Sequence, residues 1–328
     1  MSALPEAVRA LAEADFAAVA QRFEDAGFLV AEPASGVLTV KSAAPDPARA
    51  SVLVSVGVHG DETGPIEMVA YLLEALSRTP GELTVDLMLC VGNIDAIRLG
   101  KRFVDADLNR MFRRERGALA GTFEAARADV LIEATRAFFA GSGPERWHLD
   151  LHTAIRPSHY PMFAIVPELI GDRARAGLLA WLGEAGIQAI IMNPASAGTY
   201  SYFTSEHLGA AGSTVELGRV GTLGRNDLAQ FADASNALER LLRGQPARQA
   251  AATPHVFSTA QSIMKLSDAF SMAVGRETWN FTPMKQGEVI ASDGDTVYTV
   301  EHPEELVVFP NPDVRVGLRA GIMVVRIQ

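Results

Sequence analysis

Short apolar runs that alternate with helical patterns constrain the fold of this chain more than any other feature. Six runs predict strands, and the first of them predicts a buried strand; they are SVLVSVGV (51–58), LTVDLMLCV (83–91), WHLDLH (147–152), MFAIV (162–166), IQAIIM (187–192) and STVEL (213–217). Helices are predicted over 65–78, 118–140, 172–185 and 226–243, and an amphipathic helix is predicted over 5–26. This alternation predicts an α/β fold, in which helices cover a mostly parallel mixed sheet.

The character of the chain changes near residue 244. The segment GQPARQAAATP (244–254) is rich in small and polar residues and indicates a linker. Beyond it, short strand-like pieces are separated by turn signals such as DGD, HPEE and PNPD. We therefore predict a larger domain over 1–243, a linker over 244–254 and a smaller all-β domain over 255–328.

Composition and charge exclude several classes of function. The formal net charge of −10 argues against a nucleic-acid partner, since no basic surplus is present to neutralise phosphates. Small anionic substrates remain compatible, because they respond to local arginines. The longest uncharged run, 185–205, contains Asn193, Pro194 and Gly198 and is a poor membrane span. With no apolar secretory segment near the start and a single cysteine, Cys90, we expect a cytoplasmic protein without internal disulfides.

The turn SVGVHGDETGP (55–65) carries two residues that could bind a metal ion. His59 and Glu62 follow the end of a predicted strand, and ligands gather at the carboxyl ends of strands in open α/β sheets. The alternative is an ordinary strand-to-helix turn, in which Glu62 caps the helix and His59 is exposed. The turn taken alone leaves both interpretations open.

The run WHLDLHT supplies a third candidate ligand. His148, Asp150 and His152 share one face of the predicted strand, and His152 is the last of them. The alternative is a half-exposed strand with polar residues facing outward, and His148 competes with His152 as the ligand. His59, Glu62 and His152 form a two-histidine, one-carboxylate set of the kind that binds catalytic zinc, with the spacing of carboxypeptidases.

Two further segments carry candidate catalytic and binding residues. In KRFVDADLNRMF (101–112), Arg110 with Asn109 could bind a carboxylate, and Asp107 could hold a ligand imidazole. Glu216 lies late in an apolar strand, where burial would raise its pKa and suit it to act as a general base. The alternatives are a solvated charged loop and a strand-end carboxylate that reaches solvent.

These segments together resemble the succinylglutamate desuccinylase and aspartoacylase family, which is related to zinc carboxypeptidases. The resemblance is carried by GVHGDETGPIE, GKRFVDADLNRMF, WHLDLHTAIR and TVELG, and in the C-terminal region by NFTPMKQGEVIASDG and VVFPNPDVRVGLRAGIMV. It implies a zinc-carboxypeptidase-like catalytic domain and one zinc ion per subunit, held by His59, Glu62 and His152. It also implies that Glu216 is the catalytic carboxylate and Arg102 faces the scissile carbonyl oxygen.

The resemblance further implies a substrate. Asn109 and Arg110 would bind the α-carboxylate of the amino-acid half, and Asp107 would be the partner of His59. The expected reaction is hydrolysis of N-succinyl-L-glutamate to succinate and L-glutamate, the last step of the arginine succinyltransferase pathway of arginine catabolism. Arg156 is a candidate for another substrate carboxylate, as are Arg219 and Lys101.

Three alternatives share these motifs. A sister amidohydrolase would act on N-acetylaspartate or another N-acyl amino acid. A true carboxypeptidase is disfavoured, because the β domain would obstruct a peptide. A non-catalytic zinc-binding protein of the same fold is disfavoured because such relatives typically lose the base or a ligand, and Glu216 and all three ligands are present.

Overall fold

The computed structural model describes residues 4–44 and 46–328, which form two β-sheets and eight α-helices. The helices are α1 (Glu6–Glu13), α2 (Ala17–Asp25), α3 (Thr63–Arg78), α4 (Ile94–Leu99), α5 (Phe123–Phe139), α6 (Asp172–Glu184), α7 (Tyr200–Leu208) and α8 (Ala232–Leu242). The first eight strands are β1 (Leu29–Ala34), β2 (Val37–Lys41), β3 (Ser51–Val56), β4 (Asp86–Val91), β5 (Arg146–Ala154), β6 (Met162–Pro167), β7 (Ala189–Asn193) and β8 (Ala211–Arg219). The C-terminal strands are β9 (His255–Met264), β10 (Ser271–Met272), β11 (Thr282–Lys285), β12 (Val289–Asp293), β13 (Thr296–Thr299), β14 (Glu304–Val308) and β15 (Arg319–Arg326).

The central strands of the larger sheet are parallel, and this confirms the predicted α/β fold. The order of the first eight strands is β1-β2-β4-β3-β5-β8-β6-β7. β4, β3, β5 and β8 run parallel, whereas β6 lies antiparallel to β8. Every residue of β3 is buried, as expected of a strand with helices on both faces of its sheet. The carboxyl ends of β3, β5 and β8 therefore meet at one edge.

The larger sheet continues into the C-terminal region. β9 pairs with β7 in parallel, and β15, β14 and β11 follow it in the same sheet. β10, β12 and β13 form the second, three-stranded sheet. The C-terminal region is all-β, as predicted, and no helix or strand lies between Leu242 and His255. The division of the chain at 243 and 255 stays a prediction.

The structure departs from the sequence prediction at the N-terminal helix and at α7. The helix predicted over 5–26 is two helices, α1 and α2, because Ala14 adopts a left-handed conformation (φ 58°) that ends the first. The turn lets Phe16 and Phe23 both pack into the core. The sequence pattern also missed α7, because its residues 200–205 are all buried and show no amphipathic period.

Among the helices of the described residues, none combines the length and the apolar character that crossing a membrane requires.

Candidate active site

The loop between β3 and α3 holds His59 and Glu62 against the rest of the domain. This loop packs so closely that a Cβ atom at Gly60 would lie 2.3 Å from the backbone of Ala96. Glu62 stands at the N-cap position of α3, but its side chain makes no capping hydrogen bond. Both His59 and Glu62 are buried. The alternative of an exposed histidine beside a helix-capping glutamate is therefore wrong.

His152 completes a compact group of three possible metal ligands. Glu62 Oε1 lies 2.8 Å from His59 Nδ1, and Glu62 Oε2 lies 2.8 Å from His152 Nδ1. One ligand atom from each residue falls within 4.8 Å of the others, so the group could hold a metal ion. The structure thus brings together the two histidines and the carboxylate that the sequence singled out.

A carboxylate faces the outer nitrogen of each histidine. His59 Nε2 lies 2.9 Å from Asp107 Oδ1, and His152 Nε2 lies 3.0 Å from Asp150 Oδ2. Since an ionised carboxylate only accepts hydrogen bonds, it favours the proton on Nε2 and leaves the Nδ1 lone pair directed at the shared site. Carboxylates that orient metal-binding imidazoles in this way are a general feature of such centres. The donor set therefore fits a metal ion.

Electrostatic coupling within this group is strong. Burial would raise the pKa of Glu62, but His59 and His152 outweigh it and hold the pKa well below its usual value. Burial would lower the pKa of His152, yet Asp150 and Glu62 hold it well above the usual range. The site therefore favours positive charge at its centre, which a bound cation would supply.

Glu216 lies beside this group because of strand register. It is the neighbour of His152 across the parallel β5–β8 pair. Burial, and then the negative charge of Glu62, raises the pKa of Glu216 to about 7. Its Oε2 atom is buried and accepts no hydrogen bond from the described residues. The alternative of a solvated strand-end carboxylate is therefore wrong, and the side chain can exchange a proton near neutral pH.

The loop after α4 brings three more predicted residues to the site. Arg102 Nη1 donates to Glu62 Oε1 at 2.8 Å, and Arg102 is partly buried. Asn109 Nδ2 lies 3.4 Å from His152 Nε2, and the Asn109 side-chain oxygen accepts from the backbone of Tyr200. Arg110 donates to the carbonyl oxygen of Asn109 at 2.7 Å. The bonds that Arg102 and Asn109 make with Glu62 and Tyr200 hold the loop beside the histidine group.

The site opens into a cleft of about 800 Å³ between the α/β part of the chain and the C-terminal strands. Among the described residues, seven arginines and four carboxylate side chains line it, although the whole chain is acidic. Arg156 and Arg219 belong to this lining, as expected, whereas the exposed Lys101 does not. Arg156 donates to the carbonyl oxygen of Arg276. The local excess of cations suits an anionic ligand.

A chain of buried polar side chains extends behind His152. Asp150 Oδ1 accepts from Ser55 Oγ at 2.5 Å, and Ser55 Oγ lies 2.8 Å from His148 Nε2. His148 Nδ1 lies 2.8 Å from Thr204 Oγ1. His148 is therefore not a competing ligand, and the interpretation of β5 as a half-exposed strand is wrong. The sequence pattern predicts no role for Asp150, and its place between His148 and His152 on one face of the strand is the signal that points to one.

Two family models cover most of the chain. Residues 48–242 match the succinylglutamate desuccinylase/aspartoacylase catalytic domain, and residues 252–327 match the AstE/AspA barrel-sandwich hybrid domain. The chain belongs to the succinylglutamate desuccinylase/aspartoacylase family. A succinylglutamate desuccinylase from Burkholderia orbicola (strain MC0-3) is 46% identical over 293 residues, which are 88% of this chain and 85% of the relative.

Solved structures of family members have the same fold. The crystal structure of succinylglutamate desuccinylase from Vibrio cholerae aligns with a TM-score of 0.84 at 30% identity, covering 92% of this chain and 88% of that one. The enzyme from Chromobacterium violaceum aligns with a TM-score of 0.76 at 32% identity, covering 94% and 97%. The chain is therefore an enzyme of the hydrolase class, with the mixed sheet and the C-terminal barrel-sandwich hybrid domain of this family.

Proposed function

We propose that this family member is a zinc-dependent amidohydrolase that converts N-succinyl-L-glutamate to succinate and L-glutamate. The observation that carries the proposal is the His59, Glu62 and His152 group beside Glu216, at the base of an arginine-lined cleft. The names of the relatives support the substrate. The reaction would be the last step of the arginine succinyltransferase pathway of arginine catabolism.

His59, Glu62 and His152 would hold one zinc ion, since two imidazole nitrogens and a carboxylate form a frequent ligand set for catalytic zinc. Bound zinc would act as a Lewis acid that polarises the amide carbonyl and makes water a better nucleophile at neutral pH. Asp107 and Asp150 would keep the two imidazoles in the tautomer that this binding requires.

Glu216 would move the proton. Its carboxylate accepts a proton from the water that attacks the amide carbon, and then gives that proton to the departing amine nitrogen of glutamate. A pKa of about 7 suits both steps, because the group exchanges protons readily at neutral pH. Burial keeps the carboxylate away from bulk solvent. The proton therefore stays within the site between the two steps.

Arginine side chains would stabilise and orient the substrate. Arg102 would donate to the carbonyl oxygen as negative charge develops on it, a contribution that is typically about 3–4 kcal/mol of barrier. Asn109 and Arg110 would hold the α-carboxylate of the amino-acid half, since a guanidinium group presents paired donors. Arg156, which lines the same cleft, would attract another of the three substrate carboxylates.

Release of succinate from N-succinyl-L-glutamate by the purified, zinc-loaded protein tests the proposal. The Glu216→Gln variant is the control, because glutamine keeps the shape of the side chain and cannot accept the proton. We expect release by the wild type, loss of turnover in the variant, and equal zinc content in both. Normal turnover by the variant would refute the role of Glu216.

N-Acetyl-L-aspartate is the comparison substrate for the sister amidohydrolases. Turnover of this compound without turnover of N-succinyl-L-glutamate would assign the chain to another N-acyl amino acid. A protein that binds zinc and hydrolyses neither compound would favour the non-catalytic alternative.

A further inference from the structure

Arg319 is a cleft residue that comes from the C-terminal strands. It is the first residue of β15, is partly buried, and lines the same cleft as Arg110 from the α/β part. The pattern of short strands around Arg319 gave no signal that it would reach the site. The two arginines thus approach the cleft from opposite parts of the chain.

The Arg319 guanidinium has no acidic partner among residues 4–44 and 46–328. The four carboxylates that line the cleft are engaged elsewhere or lie beside other groups. Asp107 faces His59, and Asp313 pairs with Arg276 at 2.6 Å. Within the described part of the chain, Glu216 and Glu277 form no salt bridge with Arg319, and the charge that acts on Arg319 is that of Arg110.

Two cations that line one cleft repel each other unless an anion lies between them. Burial, and then the charge of Arg110, lowers the pKa of Arg319 to about 10. The guanidinium nevertheless stays protonated at neutral pH. Arg110 donates to the carbonyl oxygen of Asn109, and its charge lowers the pKa of Asp107, but the close ion pair of Asp107 is with His59. A ligand anion between the two groups would remove the repulsion and satisfy their free donors.

We propose that Arg319 joins Arg110 in binding one carboxylate of the amino-acid half of the substrate, so that the C-terminal domain contributes directly to substrate selection. This inference rests on the proposed function. The amino-acid half is assigned because Arg110 directly follows Asn109, whose side chain lies 3.4 Å from His152. A carboxylate held there sits close to the amide bond, as the α-carboxylate of glutamate does, and the γ-carboxylate belongs to the same half of the substrate.

The experiment compares Arg319→Gln with wild type on four compounds. They are N-succinyl-L-glutamate and its three monoamides, in which the α-, γ- or succinyl carboxylate is a neutral amide. Arg326→Gln is the matched control, because Arg326 ends the same strand, is exposed and lies outside the cleft. We expect Arg319→Gln to lower kcat/KM for the triacid by about 10- to 100-fold, mainly through KM, as for the loss of a charge-assisted hydrogen bond. Arg326→Gln should remain near wild type.

The monoamides decide between substrate binding and a structural role. On either the α-amide or the γ-amide, we expect wild type and Arg319→Gln to have nearly the same kcat/KM, since that compound lacks the carboxylate that Arg319 binds. An equal loss on all four compounds would indicate a structural role and overturn the proposal. An unchanged KM of Arg319→Gln on the triacid would also overturn the proposal. So would a variant that matches wild type on the succinyl amide alone.

The proposed function and this inference fail in different ways. Absence of wild-type turnover on N-succinyl-L-glutamate would refute the substrate. Wild-type turnover with an Arg319→Gln variant that matches it would refute only the role of Arg319. Thermal melting and zinc content of Arg319→Gln confirm that the variant folds, and Arg319→Lys, which keeps the charge but not the paired donors, should recover part of the loss.

Discussion

His148 is a buried titratable side chain that lies outside the cleft, and its replacement by glutamine should make the fold less sensitive to acid. Burial lowers the pKa of His148 to about 4, from an ordinary value of 6.5. Below pH 6.5 the unfolded chain therefore binds a proton that the folded protein does not. Stability attributable to His148 is complete above pH 6.5 and is lost as the pH falls toward 4.

The magnitude follows from the two pKa values. At about pH 4.5 the difference corresponds to a loss of about 2.5 kcal/mol of unfolding free energy relative to about pH 7.5. Ser55 Oγ donates its proton to Asp150, so His148 Nε2 must donate to Ser55. Glutamine can supply an equivalent donor but cannot become charged. The variant should therefore be less stable at neutral pH and lose less stability in acid.

Urea denaturation, followed by tryptophan fluorescence and circular dichroism, measures the effect. Chelator-treated protein is used at about pH 7.5 and about pH 4.5, so that metal binding does not contribute to the pH dependence. The stability difference between wild type and His148→Gln should shrink by about 2.5 kcal/mol on acidification. His207→Gln, which removes an exposed histidine, is the control for the loss of one histidine. A difference that stays the same at both pH values would refute the reasoning.

Three further outcomes are expected. Asp150→Asn should weaken zinc binding by about 10- to 100-fold in a chelator competition, because the neutral amide no longer fixes His152; unchanged affinity would contradict this. On the acid side, kcat/KM should fall to half at or below about pH 7, since Glu216 must lose its proton to act as a base and a bound cation lowers its pKa. A half-point well above pH 7 would contradict this expectation. Gly198→Ala should lower the unfolding free energy by about 1–3 kcal/mol and raise KM, because Gly198 has φ 76° and an added Cβ would lie 2.6 Å from the Arg110 carbonyl oxygen. Thermal melting and initial rates test this expectation. An unchanged melting temperature would contradict it.

Local patterns were sufficient to predict the centre of the candidate site. His59, His152 and Glu216 each lie at the end of an apolar run, and the carboxyl ends of parallel strands converge. The catalytic and binding roles of these residues stay predictions until the variants are measured. A role for Asp150 could not be predicted without knowing which helix covers that face of β5. On an exposed face, Asp150 would be an ordinary surface residue.

Features that depend on long-range pairing or packing could not be predicted from local sequence patterns. Arg319 reaches the cleft because β9 pairs with β7, and β15 then pairs with β9. No local signal encodes which strand accepts β9. The break between α1 and α2 was missed for a related reason, since the left-handed Ala14 is stabilised by core packing of Phe16 and not by alanine's own preference.

The pairing of β7 with β9 also limits where the chain can be truncated. Removal of residues 255–328 would leave the backbone groups of Ala189–Asn193 as an unpaired edge. It would also expose apolar side chains such as Ile191 and Phe163, which in the intact chain pack in one cluster with Phe257 and Phe281. A bare edge of this kind pairs readily with another copy of itself. The N-terminal part expressed alone would therefore self-associate, so the α/β part needs residues 255–328 to stay a separate molecule.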